Sequence, residues 1–449
     1  MFAASFVVCK SNKEDAKTQD DSSIVAVTKV LSNGRQIPLI GMGIGNLPGD
    51  HVDEVVSFNL HLGSRLVDTA RASRNEIMLS KTIGKKFAGT VSKADRKSGD
   101  SVVHVVTKVW YTHLGYERTK IAVGESLRDL TTNHQNGDIR VHILLHWPRC
   151  DDNIEWMDCQ EEERRLPKYV KEAGPPPHLS KDSAWQDSWK ALEDLYIEDK
   201  EDRKKNMGHR PLIESIGVSN FELKDMMSLL EICRIKPFIY QGNVWKVFHD
   251  PKMMKLLGEN RILFQAYNIM NGIYQRKASA PNAFAVLSRV GTHLSEKLGR
   301  AGSERKVTEG MVIMAWLIQQ GISVVPRASS YTHQKENSPS SIASLPRMSS
   351  QENETVRNAM SALMKGEDIK VKAVFHNKYV RSIQLHWINQ KTGEEVPVTG
   401  QVQPGVTLPI DSHPGHTFVA YCSMKKLRKV YTVTAEYGDS NYFSIHDEL

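Results

Sequence analysis

Apolar and polar positions along this chain form short apolar runs, each closed by one polar residue. Arg65-Leu66-Val67 ends on Asp68, and the run over 102–107 ends on Lys108. Residues 141–145 end on His146, and 215–219 end on Asn220. Phe238-Ile239-Tyr240 ends on Gln241, 262–266 on Tyr267, and 322–326 on Arg327. Runs this short and this apolar read as strands buried on both faces. With residues 39–44, where glycine alternates with apolar residues, they number eight. Between them, apolar residues recur at helical spacing over 52–62, 75–87, 117–130, 185–196, 222–233 and 308–319. Strand then helix, repeated, predicts an α/β chain folded as a (β/α)8 TIM barrel. In such a barrel the residues at the C-terminal strand ends share one mouth, so the chemistry is expected there. Asn33-Gly34 between two extended segments predicts an N-terminal β-hairpin that caps the barrel floor.

Three segments break this pattern. Residues 88–100 are small, polar and charged. Residues 149–181 are acidic, then Pro-rich, and follow His146 directly, so they are expected to shape a pocket at the mouth. The charge run over 197–210 precedes its strand and is expected to be a solvated insertion on the opposite face. Beyond Pro326 the composition shifts. Residues 338–350 are Ser/Pro-rich, a helical stretch follows over 352–365, and from 370 the pattern alternates apolar with polar between turn signals. That alternation predicts a small all-β, sandwich-like domain. The expected organisation is a flexible lead over 1–24, a barrel over 25–337, a linker and terminal helix over 338–369, and a β domain over 370–449.

Composition adjusts this picture only slightly. The 449 residues exceed one ordinary domain, and 40% hydrophobic with 25% charged residues is globular. A net charge of +7, with Lys and Arg scattered among Asp and Glu, forms no basic stripe. Nucleic acid is therefore not an expected partner, whereas an anionic cofactor or substrate is. The five cysteines are widely spaced, which predicts a reducing compartment and no structural disulfide. No apolar run is long enough to span a membrane, and no cluster has metal-ligand spacing. The chain ends in His446-Asp447-Glu448-Leu449, a retrieval signal of the endoplasmic reticulum, but its start lacks a basic n-region. The expected location is therefore cytoplasmic.

Several motifs, in order, resemble the aldo-keto reductase family over about residues 25–365. They are Asn33-Gly34 with Ile37-Pro38-Leu39, Gly41 and Gly43; Val67-Asp68-Thr69-Ala70 with Asn75-Glu76; and Thr107-Lys108-Val109-Trp110. Leu144-Leu145-His146-Trp147-Pro148, Gly217-Val218-Ser219-Asn220-Phe221, Ala266-Tyr267, and Pro326-Arg327 with Glu336-Asn337 follow. The resemblance implies an NADP(H)-dependent oxidoreductase acting on carbonyl or alcohol substrates. Hydride transfer to a carbonyl places negative charge on oxygen, which needs a proton donor and preorganised hydrogen-bond donors. A tyrosine hydroxyl serves when a lysine ammonium lowers its pKa from about 10 and an aspartate holds that lysine. By the resemblance, Lys108, Asp68 and His146 fill the lysine, aspartate and histidine roles. The tyrosine position is Ser73. Serine is shorter and far less acidic than a phenol, so activity is expected to be reduced, to use another donor such as His146 or Tyr111, or to be altered. On the cofactor side the resemblance implies that Ser219, Asn220 and Gln241 hold the nicotinamide carboxamide and that Tyr267 stacks on the ring. It assigns Arg327 to phosphate, which favours NADP(H), and Glu336 and Asn337 to adenine. Ala328 and His333 depart from the serine and arginine usual at their positions.

The C-terminal segment resembles the β domain of the von Hippel–Lindau tumour suppressor. The residues that carry this are Leu385-His386-Trp387-Ile388-Asn389, Gly393-Glu394, Pro404-Gly405 and 410–418. The resemblance implies a peptide-binding surface for a proline- or hydroxyproline-containing partner at Ser412, His416 and Phe418. No counterpart of that protein's ligase-recruiting helix follows. Two functions stay open: a reductase fused to a protein-recognition module, or a catalytically impaired nucleotide-binding scaffold or sensor.

Overall fold

The computed structural model describes residues 28–87, 102–132, 139–151, 153–180, 184–205, 212–248, 250–270, 272–422, 427–433 and 441–446. The expected lead over 1–24, the charged segment 88–100, the end of the run 197–210 and the last three residues lie outside the described residues.

Strands β1 (Thr28–Val30) and β2 (Gln36–Pro38) pair antiparallel across Asn33-Gly34, with Gly34 at φ +80°, a conformation a side chain resists. This is the predicted hairpin, and it caps the floor. Leu31 and Ile37 are buried in the barrel core, and Asn33 Nδ2 donates to Glu214 O at the foot of a barrel strand. Eight parallel strands follow: β3 (Met42–Gly43), β4 (Leu66–Asp68), β5 (Val103–Val109), β6 (Ile139–Leu145), β7 (Ile213–Ser219), β8 (Ile239–Asn243), β9 (Leu263–Tyr267) and β10 (Ser323–Val324). Each pairs with the next in sequence. The circle closes where Gly41 and Gly43 donate to Val324 O and Pro326 O, both at 2.9 Å. Within it, side chains alternate between the barrel interior and the surrounding helices. The interior floor is polar: His104 and His142 share a hydrogen bond of 3.0 Å, and His142 shares another of 2.7 Å with Ser215. This network gives both ring nitrogens of the buried His142 a partner and fits a structural role.

The predicted helices appear as Gly49–His61, Glu76–Phe87, Tyr116–Thr131, Ala184–Lys205, Leu223–Ile232 and Glu309–Gln319. In the last, every residue from Met311 to Ile318 is buried, at about 1.5–3 kcal/mol for each large apolar side chain. Two further helices, Pro251–Glu259 and Pro281–Arg300, are not among those expected. Both begin with proline at the first position, and Asp250 caps the first through the backbone N–H of Lys252 and Met253. The described part of the charge run 197–210, expected as a solvated insertion, takes a defined form. Through Lys205 it continues the helix Ala184–Lys205, because Glu, Asp, Lys and Arg carry no helix-breaking backbone. Its Asp199 accepts from the N–H groups of Leu212 and Ile213 and so fixes the entry to β7.

The segment over 338–369 is no free linker. Ile342, Leu345 and Met348 are buried in the barrel core, as are Val356, Met360 and Leu363 of the helix Ser350–Lys365. Ser349 and Glu352 form a capping box at that helix's start, and Glu352 also pairs with Lys297 and His293. The barrel unit therefore runs to Lys365. Immediately beyond, Asp368 accepts from Asn282 Nδ2 at 2.6 Å and Ala283 N at 2.9 Å, at the start of the helix Pro281–Arg300.

The alternating C-terminal pattern forms β11 (Val371–Asn377), β12 (Ile383–Ile388), β13 (Glu395–Pro397), β14 (Thr407–Ser412), β15 (Thr417–Cys422), β16 (Arg428–Thr432) and β17 (Asn441–Ile445). They make two sheets, β14-β11-β17 and β13-β12-β15-β16. Phe375, Ile383, Leu385, Phe418 and Ile445 form a core between them, separate from that of the barrel.

Packing against the barrel strands is tightest at Gly217. A Cβ there would collide with Ile239 O and lie 2.7 Å from Leu144 Cδ2, whereas one on Gly124, in the helix Tyr116–Thr131, meets nothing within 4 Å. Gly217→Ala is expected to cost roughly 3 kcal/mol in urea unfolding. Gly124→Ala should instead stabilise by about 0.5–1 kcal/mol. Equal midpoints for the two variants would contradict this packing.

Candidate active site

Asp68 closes β4, and Lys108 stands one residue before the end of the neighbouring β5. Lys108 Nζ donates to Asp68 Oδ1 and to Thr69 O, both at 2.7 Å. Lys108 is 4% and Asp68 9% exposed, so this is an ion pair inside the barrel mouth. Gln241 of β8 reaches across the interior: its Nε2 donates to Asp68 Oδ1 at 2.6 Å and to Gln265 Oε1 at 2.8 Å. Gln265 Nε2 donates onward to Ser323 Oγ at 3.2 Å. A connected polar chain thus crosses the barrel from β5 to β10. Thr69 Oγ1 donates to Asn75 Oδ1, and Asn75 Nδ2 to Ile44 O, so the top of β4 is tied to β3.

His146 follows β6 and is half-buried, with its backbone N–H donating to Val109 O at 3.0 Å. Its Nδ1 is enclosed without a hydrogen-bond partner. Burial, and then the Lys108 charge, hold its pKa well below the ordinary value, so the ring is neutral. Its edge rests on Trp110, with centroids 4.9 Å apart.

Ser73 ends the 3-10 turn Arg71–Ser73 and is half-buried. Its Oγ accepts from Asn46 N at 3.2 Å, so the hydroxyl steadies the loop after β3. Arg71 anchors the turn through Glu76 at 2.9 Å, Glu125 at 3.0 Å and Asp129 at 2.5 Å. Tyr111, considered above as a substitute donor, is buried, and its hydroxyl donates to Glu162. Burial and that carboxylate raise its pKa well above the usual phenol range. Tyr111 is thereby removed from the proton donors.

At the end of β7 Ser219 is fully buried, and Asn220 follows in the left-handed region at φ +60°. Asn220 Nδ2 donates to His146 O and Ser219 Oγ, while its Oδ1 accepts from the Tyr267 hydroxyl at 2.5 Å. Tyr267 is half-buried; burial and then Asp68 push its pKa up to about 12. Arg327 is exposed three residues past β10, and its Nη1 donates to Gly45 O at 3.2 Å. The Gly45-Asn46 turn therefore stands between Arg327 and Ser73. Glu336 and Asn337 are half-buried at the end of the helix Tyr331–Glu336, which also carries an exposed His333. Among the described residues no group of three or more His, Cys, Asp or Glu could hold a metal.

Residue types and placement fit a nicotinamide nucleotide. Amide and hydroxyl groups of Ser219 and Asn220 stand beside a partly open tyrosine face, and an exposed guanidinium stands on the same rim. The sequence profile of the Aldo/keto reductase family matches residues 40–359. The chain belongs to the aldo/keto reductase family. The NAD(P)H-dependent D-xylose reductase of Kluyveromyces lactis is 25% identical over 316 residues, covering 68% of this chain and 84% of the relative. The glyoxal reductase of Bacillus subtilis is 27% identical over 304 residues, covering 67% and 82%. The solved aldose reductase from Schistosoma japonicum superposes with a TM-score of 0.50 at 22% identity, covering 76% of this chain and 96% of its own. That last likeness is one of fold.

This aldo/keto reductase barrel also carries site residues that strand-end reading passed over. Gln265 lies two positions before Tyr267, so strand alternation alone places both on the interior face. Glu162, whose Oε2 accepts from Trp110 Nε1 at 2.7 Å, comes from the segment after His146, where no periodicity announces a contact. In the same segment Cys150 and Cys159 are joined by a disulfide, with Cα atoms 5.9 Å apart. The expectation of no structural disulfide is corrected here: the chain folds back within the segment and brings two widely spaced cysteines together.

In the C-terminal domain, Ser412 Oγ and His416 Nδ1 share a hydrogen bond of 3.1 Å. The Trp387 ring lies 5.3 Å from His416, and its Nε1 is enclosed without a partner. Phe418 is instead in the core against Phe375, at 5.2 Å.

Removing one partner of the buried ion pair leaves the other charge stranded. Lys108→Met is expected to destabilise the barrel by about 3–5 kcal/mol. Adding Asp68→Asn should restore part of that loss. A double-mutant cycle in urea with strictly additive effects would contradict the coupling.

Proposed function

We propose that the barrel is an NADP(H)-dependent oxidoreductase of carbonyl or alcohol substrates that turns over slowly because Ser73 stands in place of the tyrosine proton donor. The observation that supports this most is the Lys108–Asp68 pair beneath a neutral His146 with an unpartnered Nδ1. The relatives are named as reductases, one of them NAD(P)H-dependent, and Arg327 favours the phosphorylated cofactor as a bidentate anion binder. The bound nicotinamide supplies the hydride. A neutral imidazole at His146 can orient the carbonyl oxygen through a ring N–H. Lys108 has two of its three N–H bonds committed to Asp68 and Thr69, and its charge favours the developing alkoxide. Ser73 is a poor proton source, because an aliphatic hydroxyl is far less acidic than a phenol. Water at the mouth is left as the proton source.

NADPH fluorescence titration should give saturable binding, with slow oxidation in the presence of aldehydes. Ser73→Tyr is expected to raise kcat/KM by roughly 100- to 10,000-fold with little change in NADPH affinity, since Arg71 and its carboxylates hold the turn. Saturable binding without oxidation, and no gain in Ser73→Tyr, would favour the scaffold or sensor reading, which Ser73's loop-fixing hydrogen bond also supports. Absence of NADPH binding would remove the cofactor assignment.

For the C-terminal domain we propose a peptide-binding role centred on Ser412 and His416. Their mutual hydrogen bond beside Trp387 supports it. Hydroxyprolyl peptides should bind more tightly than prolyl ones in a fluorescence-anisotropy assay, and His416→Ala should erase the difference. Equal weak binding of both peptides counts against this role.

A further inference from the structure

The segment that leaves the mouth after His146 is held at three points. Cys150 lies four residues past His146, and its bridge to Cys159 closes a loop that contains Trp156. Cys159 opens the helix Cys159–Arg165. Glu162 in that helix accepts from Trp110 and Tyr111, and Glu163 takes two hydrogen bonds of 2.9 Å from Arg118. The helix is thus anchored independently of the bridge, while the loop that carries Trp156 is tied down both by the bridge and by Met157, which is buried against the barrel core. Trp156 is 55% exposed, and its ring neighbours are Trp147 at 5.7 Å and Trp110 at 6.1 Å. Trp110 in turn touches His146. A large apolar ring left half in water, beside Trp147 and linked through Trp110 to the candidate catalytic histidine, is a surface suited to an apolar ligand.

We propose that Trp156 is a specificity-determining wall of the carbonyl site, selecting aromatic or bulky apolar carbonyl compounds, and that the Cys150–Cys159 bridge holds it in place, so that thiol–disulfide exchange tunes the site. The inference rests on the reductase reading above. The redox step needs a dithiol. One of its thiolates attacks a bridge sulfur, breaking the protein S–S bond and forming a mixed disulfide. Its second thiol then closes on the first, releasing Cys150 and Cys159 as two thiols with two electrons and two protons gained. Ser219, Asn220, Tyr267 and Arg327 sit on or after β7, β9 and β10, whereas the bridged part of the segment packs on Trp110, Tyr111 and Arg118, and Arg149 just ahead of the bridge pairs with Asp225.

The test compares full-length oxidised protein, the same protein reduced with dithiothreitol, Cys150→Ser/Cys159→Ser, and Trp156→Ala. Reduction should expose two further thiols and increase acrylamide quenching of tryptophan fluorescence. KM for benzaldehyde should rise roughly three- to tenfold in the reduced protein and in both variants. KM for propanal and the Kd for NADPH should stay within about twofold, and the double serine variant should ignore dithiothreitol. An unchanged thiol count, or equal shifts for benzaldehyde and propanal, overturns the proposal while leaving the reductase reading intact. If no form binds NADPH or turns over, the reductase reading fails and Trp156 loses its assigned role with it. Thiol count and quenching would then still decide whether the bridge holds Trp156.

Discussion

The barrel mouth is organised by one buried charge pair. Lys108 and Asp68 are both nearly excluded from water, and neither charge is tolerable there alone. That constraint propagates. Asp68 must also satisfy a second donor, which draws Gln241 across the interior and, through it, Gln265 and Ser323. Lys108 must find a further acceptor, which fixes the Thr69 carbonyl and the turn that leads to Ser73. Strands from opposite sides of the barrel are thereby registered against one another by polar contacts that apolar packing alone does not specify.

Much of this was legible in the chain, for a definite reason. A strand buried on both faces has to be apolar throughout, so a polar residue at its end stands out, and Asp68, Lys108, His146, Asn220, Gln241 and Tyr267 all gather at one rim. Less legible were features with no period. The helix Pro281–Arg300 carries Phe284, Leu287, Leu294 and Leu298 at helical spacing, but Gly291, Ser288 and Thr292 dilute the signal. The Ser/Pro-rich stretch after Glu336 looked like a linker because its apolar residues are few. Yet Ile342, Leu345 and Met348 are all buried against the barrel. The pairing of Cys150 with Cys159 and the reach of Glu162 to Trp110 depend on how an irregular segment folds back, which composition does not encode. In the β domain, short alternating runs marked a sandwich, while β13 is only three residues long and β14 carries Pro409, so neither stands out as a strand.

The two sides of the mouth differ in kind. On one side, Ser219, Asn220 and Tyr267 lie on or next to rigid strands and are bonded to one another and to the His146 carbonyl. The other side is a loop and the short helix Cys159–Arg165, held by a carboxylate, a salt bridge and a disulfide. A rigid half suits a constant group and an adaptable half suits a variable one. Ser73 sits between them on a turn that Arg71 and three carboxylates hold firmly. Ser73 therefore presents a weakly acidic hydroxyl from a firmly held position.

Asp368 gives the chain's architecture a further meaning. Helices in this barrel start at the mouth, so the capping contact with Asn282 and Ala283 tethers the β domain at the mouth rather than at the floor. Strand β11 begins at Val371, which leaves almost no slack in the leash. A ligand held on the β domain would therefore stand at high local concentration beside the opening of the barrel, a proximity effect that needs no direct contact between the two domains.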